Sequence, residues 1–205
     1  MEPLTLRGRY VTLEPLAPLR HFDDLWSALR GERNDPLWNY MHDGPYPDGD
    51  SFRAALERKA SSPDARFFAL LTPRAAGYAS LMREDAANRV IEVGNIMYSP
   101  ALQRTAAATE AMYLLARHVF ESLGYRRYEW KCNHLNEPSR RAALRLGFTF
   151  EGIFRQHMLV KGRNRDTAWY SMLDTEWPAR KATFEAWLDP SNFDADGRQR
   201  HPLYC

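Results

Sequence analysis

The sequence predicts a mixed α/β fold on one sheet and argues against a doubly wound one. Three observations carry that reading: strand-like runs at 67–71, 77–82 and 90–98 with no helix between them, a long helical period over 105–123, and a closing strand pair within 148–173.

Taken in order, Leu6 to Leu16 alternates in part and carries β-branched Val11 and Thr12, which predicts an edge strand. From Pro18 to Arg30, Leu19, Phe22, Leu25, Trp26 and Leu29 fall at helical spacing. Asp35 to Asp50 holds three prolines, two glycines and the large side chains Trp38, Tyr40, Met41 and Tyr46, the composition of a loop that packs over something. Asp50 or Ser51 is expected to cap a helix through about Ser61. Strands follow at Phe67–Leu71, Gly77–Met82 and Val90–Tyr98. From Thr105 to Leu123 the residues Met112, Leu115, Ala116, Val119, Phe120 and Leu123 keep a helical period, and Gly124 stops it. Arg127–Cys132 reads as a strand and Glu137–Leu146 as a short helix ended by Gly147. Phe148–Val160 and Thr167–Leu173 read as two strands joined by the turn KGRNRD. Ala179–Leu188 forms a terminal helix, and the last fifteen or so residues are expected to be loosely held.

A chain of 205 residues with 44% hydrophobic content has material for one sizeable core, and no linker divides it. No run approaches the roughly 18 apolar residues of a membrane span, and the opening MEPLTLRGRYVTLEPL lacks the zones of a secretory signal. The expected location is the cytoplasm. Two cysteines, Cys132 and the final Cys205, assemble neither a disulfide framework nor a thiol zinc site. Six scattered histidines form no HxxxH or HExxH pair, so no metal is predicted. The net charge of +2 is unevenly spread: Arg126 to Arg165 holds ten Lys or Arg against three Glu. That field suits a polyanionic ligand, or equally a solvated surface with internal ion pairs. With a net +2 and no recognised motif, a nucleic-acid module is not expected.

The most informative stretch is IEVGNIMYSPALQRTAAATEAMYLLARHVF, residues 91–120: an apolar strand, a short loop and a long amphipathic helix. A helix N-terminus offers unpaired N–H groups, and Thr105, Ala106, Ala107, Ala108 and Thr109 are small enough to let a phosphate approach. An ordinary alanine-rich helix start explains the same residues. A second stretch, KCNHLNEPSRRAALRLGFTFEGIFR, places Asn136, Pro138 and Ser139 at a helix start, which a capping turn explains without any ligand.

Together these stretches resemble the GNAT superfamily of N-acetyltransferases, in its RimJ/RimL-like branch. Gln103, Arg104, Thr105, Ala106, Ala107 and Ala108 match the Q/R-x-x-G-x-G/A loop that holds coenzyme A pyrophosphate, with Ala106 in place of the central glycine. Asn136, Ser139 and Gly147-Phe148 match the branch's later N-x-x-S and G-F positions, followed by Glu151-Gly152. The resemblance covers roughly residues 4 to 177 and is strongest from 90 to 173. It implies an acetyl-CoA dependent N-acetyltransferase on a central, mostly antiparallel, twisted sheet of about seven strands, with a splayed cofactor cleft and helices on both faces. Residues 1–177 would form the acetyltransferase domain and 178–205 a C-terminal helix and tail packed on it or on a partner subunit.

The resemblance also implies roles. Ile96, Met97, Tyr98 and Ser99, the loop Gln103–Thr109, Asn136, Ser139 and Arg140 or Arg141 would contact acetyl-CoA, the arginines at its 3'-phosphate. Transfer to an amine by direct attack needs a base and, for the leaving thiolate, an acid. Glu92 is the candidate base, between Ile91 and Val93, with Arg83 or Arg89 as its partner under the plain structural reading. Ser139 is the candidate proton donor, and His157 and His134 are reserve bases. Cys132 has no partner spacing for covalent catalysis. Trp38, Tyr40, His42, Asp43, Tyr46 and His157 are candidates for the acceptor wall, and the acidic Asp35, Asp43, Asp48 and Asp50 would favour a cationic amine. The acceptor is a protein N-terminus or a small amine. Phe184, Trp187, Leu188 and Phe193 give the tail enough apolar surface for a homodimer or for its own core. A catalytically idle coenzyme A binding protein is the alternative reading.

Overall fold

The expected edge strand at the start folds instead into a hairpin. β1 (Leu6–Arg7) and β2 (Thr12–Pro15) pair antiparallel around a turn closed by Gly8 N–H donating to the Val11 carbonyl at 2.9 Å. A computed structural model describes residues 4–203; Met1–Pro3, Tyr204 and Cys205 lie outside it, and with them the second thiol of the sequence. The turn is held by a residue about a hundred positions away. The buried Glu110 carboxylate accepts the N–H groups of Arg9 (2.8 Å), Tyr10 (2.6 Å) and Val11 (2.9 Å).

α1 (Pro18–Leu29) starts on proline and buries Phe22, Leu25 and Leu29 along one face. A 3-10 segment, Glu32–Trp38, opens the aromatic loop, which the sequence places as irregular throughout. α2 (Gly49–Ala60) is capped earlier than expected, by Asp48, whose side chain accepts the Ser51 N–H at 2.8 Å. β3 (Ala65–Leu71), β4 (Ala75–Asp85) and β5 (Val90–Tyr98) form the meander, β4 longer at both ends than its apolar run. α3 (Ala106–Arg117) passes into a π turn, His118–Ser122, closed by Leu123 N–H on the His118 carbonyl.

β6 (Arg127–Asn133), α4 (Glu137–Arg145), β7 (Thr149–Val160), β8 (Arg163–Leu173) and α5 (Trp177–Leu188) complete the chain with a last 3-10 turn, Pro190–Asn192. The hairpin turn is only Lys161-Gly162, both at positive φ, so Arg163–Asp166 of the expected turn belong to β8. α5 starts two residues before the expected Ala179, because Pro178 fits the first helical turn. The strands form an eight-stranded sheet of order β1-β2-β3-β4-β5-β6-β8-β7, one strand more than expected because the first run became a hairpin.

Two compact units emerge: one runs to Arg83 and includes Val93–Ala111, the other takes Glu84–Glu92 and the chain from Met112. In the first, Phe22, Trp26, Trp38, Tyr46 and Phe52 form an aromatic cluster under the loop. Gly44 sits at φ 62° with the Trp38 ring 2.3 Å from where a Cβ would stand, so the loop closes only with glycine there. In the second, alternation along β6 turns Tyr128 and Trp130 towards Phe120 and Phe148, and puts Arg127, Glu129 and Lys131 on the opposite face. Phe184 and Trp187 are buried within this unit, Phe184 against Tyr113 and Trp187 against Phe193. The tail is tied more firmly than expected: Asn192 donates to the carbonyls of Trp187 (2.9 Å) and His201 (3.2 Å), and Leu203 is buried. Exposed large apolar side chains gather on β7 instead, at Phe150, Ile153, Phe154 and Leu159.

Candidate active site

In the first unit the chain leaves β5 at Tyr98 and reaches α3 through a tight turn. The Ser99 carbonyl accepts the N–H groups of Leu102 (3.0 Å) and Gln103 (3.1 Å), and Arg104 takes φ 61°, a left-handed conformation that side chains other than glycine seldom adopt. Thr105 then caps α3. Its Oγ1 donates to the Leu102 carbonyl at 2.7 Å and accepts the Ala108 N–H at 3.1 Å. Helix geometry leaves the first N–H groups of α3 without intrahelical acceptors; Thr105 takes one, and the side chains at Ala106 and Ala107 are single methyl groups. The left-handed residue of this junction is therefore Arg104, while Ala106 is the first residue of α3. Glycine's freedom is not needed there, and alanine suits the helix better.

The rest of the loop is braced from β5. Gln103 Nε2 donates to the Tyr98 carbonyl at 3.2 Å, and the Tyr98 hydroxyl donates to the Ala108 carbonyl at 3.1 Å. Burial pushes the Tyr98 phenol well above its ordinary range, so it stays a donor. Asn95, immediately before Ile96, takes φ 50° and breaks the regular course of β5; Met97 and Thr109 are buried. The Ser99 hydroxyl is buried with no hydrogen-bond partner, a polar atom left over at the base of the loop.

In the second unit Asn136 caps α4 by accepting the Ser139 N–H at 3.2 Å, with Pro138 in the first turn. The Ser139 hydroxyl accepts Trp130 Nε1–H at 3.0 Å, a contact the sequence reading missed. An indole nitrogen only donates, so the serine's own proton points elsewhere, in this structure toward the Cys132 sulfur. Burial pushes the neighbouring Cys132 thiol up, against the opposing pull of Ser139, Arg165 and Arg140, which leaves it a protonated thiol at neutral pH. Arg140 donates to the Tyr170 hydroxyl at 3.3 Å, and exposed Arg141 is paired with Glu137 one turn earlier.

Glu92 is 3% exposed, and its carboxylate meets Lys131 Nζ at 2.9 Å, a partner the sequence reading did not name. Lys131 also reaches Glu129 at 2.6 Å and lies 3.9 Å over the Trp169 ring. Arg127 binds Glu129 at 2.7 Å and Glu151, and Ser171 donates to Glu151 at 2.7 Å. These ion pairs link the carboxylates of Glu92, Glu129 and Glu151 through Lys131 and Arg127. The β6 half of this network, Arg127, Glu129 and Lys131, was legible as alternate residues on one strand face; its partner Glu92 was not.

The acceptor candidates separate. Trp38 is 2% exposed and holds the aromatic loop from within, whereas Tyr40 and His42 are exposed. The Tyr46 hydroxyl donates to Asp43 at 2.7 Å, and Lys59 forms an ion pair with the same carboxylate. Burial pushes the Asp43 carboxyl up, but Lys59 and Tyr46 outweigh it and leave it below its ordinary value. Asp43 and Asp48 are therefore engaged locally, one in an ion pair and one as a cap. His157, in the second unit, lies 2.9 Å from the Thr167 hydroxyl with its ring against Phe154 and Trp169. Among the described residues no group of three or more His, Cys, Asp or Glu is placed to hold a metal ion, and no helix is long and apolar enough to cross a membrane.

Residues 11–149 match the acetyltransferase (GNAT) domain family. The chain belongs to the GNAT acetyltransferase family. The span that matches takes in both the Gln103–Thr109 loop and the Asn136–Ser139 cap of this GNAT chain. A GCN5-related N-acetyltransferase from Brucella melitensis superposes with a TM-score of 0.95 at 49% identity, over 99% of this chain and 93% of that one. A protein described as a probable acetyltransferase of the GNAT family, from Chromobacterium violaceum ATCC 12472, gives 0.80 at 41% identity, over 85% and 88%. YdaF of Bacillus subtilis (strain 168), by name a candidate ribosomal N-acetyltransferase, is 32% identical over 105 residues, 51% of this chain; the alignment spans 57% of that relative's length.

Proposed function

We propose that this GNAT protein transfers an acetyl group from acetyl-CoA to a primary amine, a protein N-terminus or a small-molecule amine, by direct attack. The observation that carries the reading is the junction at α3: Arg104 left-handed, Thr105 as cap, and small alanine side chains at the first positions of the helix, Ala106 and Ala107. Such a donor set fits a pyrophosphate, which accepts several N–H bonds and gains from the positive end of the helix. Arg104 and the loop Gln103–Thr109 would hold it, with Ile96–Ser99 alongside on β5. When bound, acetyl-CoA supplies an acetyl group activated as a thioester. Asn136 is assigned to the pantetheine arm and Ser139 to the leaving thiolate, to which its hydroxyl would donate a hydrogen bond.

Glu92 is assigned as the base that takes the amine's proton. The support is its position: a buried carboxylate on β5, the strand that runs on to Ile96–Ser99, held 2.9 Å from Lys131 Nζ. A protein N-terminus is supported as acceptor by the name of the Bacillus subtilis relative. The cytoplasmic setting belongs to the same reading, since acetyl-CoA is made and used inside cells.

Isothermal titration with acetyl-CoA tests the cofactor loop. Saturable binding is expected, weakened about tenfold in Arg104→Ala by loss of one charge-assisted phosphate contact. Absence of binding at millimolar cofactor would remove the proposal.

A further inference from the structure

We propose that two copies of this chain pair edge to edge through β7, antiparallel about a two-fold axis at Ile153, so that Phe154 of each copy packs beside Trp169 of the other. β7 ends the sheet order on one side, so among the described residues one side of its 12-residue backbone faces no strand, whereas β1 at the other end has only two residues. An uncovered strand edge is a template for a further strand, and folds that stay monomeric blunt it with lysine, proline or a covering segment. Between Thr149 and Val160 there is neither lysine nor proline. The strand presents Phe150, Ile153, Phe154 and Leu159 instead, each 38–79% exposed. Its two register shifts, between Phe150 and Gly152 and between Phe154 and Met158, leave Gly152–Phe154 as the regular stretch between them. The bulges thus fix which residues pair without closing the edge.

Three features single out a second copy as the occupant, since a two-fold interface has to complement itself. First, with Ile153 on the axis, Gly152 of one copy lies opposite Phe154 of the other. Gly152 takes φ 152°, and a Cβ there would meet nothing within 4 Å, so the space beside it is open to a ring. Gly152 is also the register partner of Trp169, and Phe154 already lies 4.4 Å from the Trp169 of its own chain. The pairing therefore gathers four rings across the axis. Trp169 in turn carries Lys131 3.9 Å over its ring, and Lys131 holds Glu92 at 2.9 Å, so the partner's Phe154 would extend the aromatic support behind the candidate base. Second, Glu151 and Arg155 stand equally far from Ile153 on its two sides, which sets acid against base at both ends of the paired stretch. Third, taking roughly 200 Å² for a whole large side chain, the four exposed apolar residues offer on the order of 400 Å² per copy. That is about half of the ~800 Å² per partner in a stable interface, and the exposed Thr149, Gln156 and His157 of the same strand add to it.

Sedimentation equilibrium tests the association. The wild type is expected to approach twice its chain mass of 23.8 kDa at about 50 μM and to dissociate on dilution with a micromolar constant. Ile153→Lys and Ile153→Glu each set like charges against themselves at the axis, so both should sediment as monomers with circular dichroism unchanged. Mixed in equal amounts, the two variants should regain the dimer mass, because this register places residue 153 against itself. A wild type that stays monomeric, a dimer that survives in both variants, or a mixture that does not reassociate would overturn the proposal. Should the variants fail to fold, hydrogen exchange on the wild type alone decides: the amides of residues 152–154 should gain about tenfold protection between dilute and concentrated protein. Exchange in β7 that ignores concentration would end the proposal. Neither readout depends on acetyl transfer.

Discussion

Replacing Lys131 by methionine is expected to destabilise the protein by roughly 3–5 kcal/mol, the cost of stripping one partner from a buried ion pair. Lys131 has 6% of its side chain exposed and serves Glu92 and Glu129, whose side chains are 4% and 11% exposed. Methionine fills much the same volume and keeps contact with Trp169, so what is lost is charge rather than packing. Two carboxylates would then lie buried with less compensation, Arg127 being left to neutralise Glu129 and Glu151 together. Urea unfolding checks this: the midpoint should fall with the slope unchanged. Adding Glu92→Gln to Lys131→Met should recover part of the loss, since one buried negative charge is removed. A loss below about 1 kcal/mol would mean that the pair is solvated in solution and worth no more than a surface bridge.

Glu92→Gln alone should lower kcat by about 10²–10⁴, the usual range for removing a general base, with acetyl-CoA affinity retained. Glutamine keeps the shape and still offers an oxygen to Lys131, and Lys131 keeps Glu129, so the fold should survive. This separates the two roles that a buried, paired glutamate can have. Steady-state kinetics with a saturating amine decides between them. A kcat within about threefold of wild type, alongside reduced stability, would make Glu92 a structural partner of Lys131 and move the base elsewhere.

How much was legible depended on the range of the interaction. β5 and α1 were read almost to the residue because each repeats its period for two turns or more and ends on proline, glycine or a charge. The β1–β2 hairpin was read as a single strand because its organiser, Glu110, lies about a hundred residues downstream and nothing near Gly8 reports it. The ion partners considered for Glu92 came from its own hairpin, and Lys131 on β6, which the fold also brings to it, was out of reach of that local reading. The loop assigned to the cofactor was picked out by its resemblance to the family pattern, and its left-handed residue in the structure is Arg104. Thr105 caps the helix just after that turn, so the pattern's glycine position already lies within α3. The Trp130 bond to Ser139 had a visible cue in hindsight: Tyr128, Trp130 and Cys132 alternate on one face of β6, the face against which α4 packs.

The most direct test of the account is amine-dependent transfer itself. Purified protein, acetyl-CoA and a set of primary amines and N-terminal peptides are followed by free-thiol release and by mass spectrometry of the amine. The account predicts thiol release that rises with amine concentration, matched one for one by N-acetylated product, and suppressed in Glu92→Gln. Tight acetyl-CoA binding with no amine-dependent release, and no acetylated product from any acceptor, would contradict it and leave a coenzyme A binding protein on a GNAT fold.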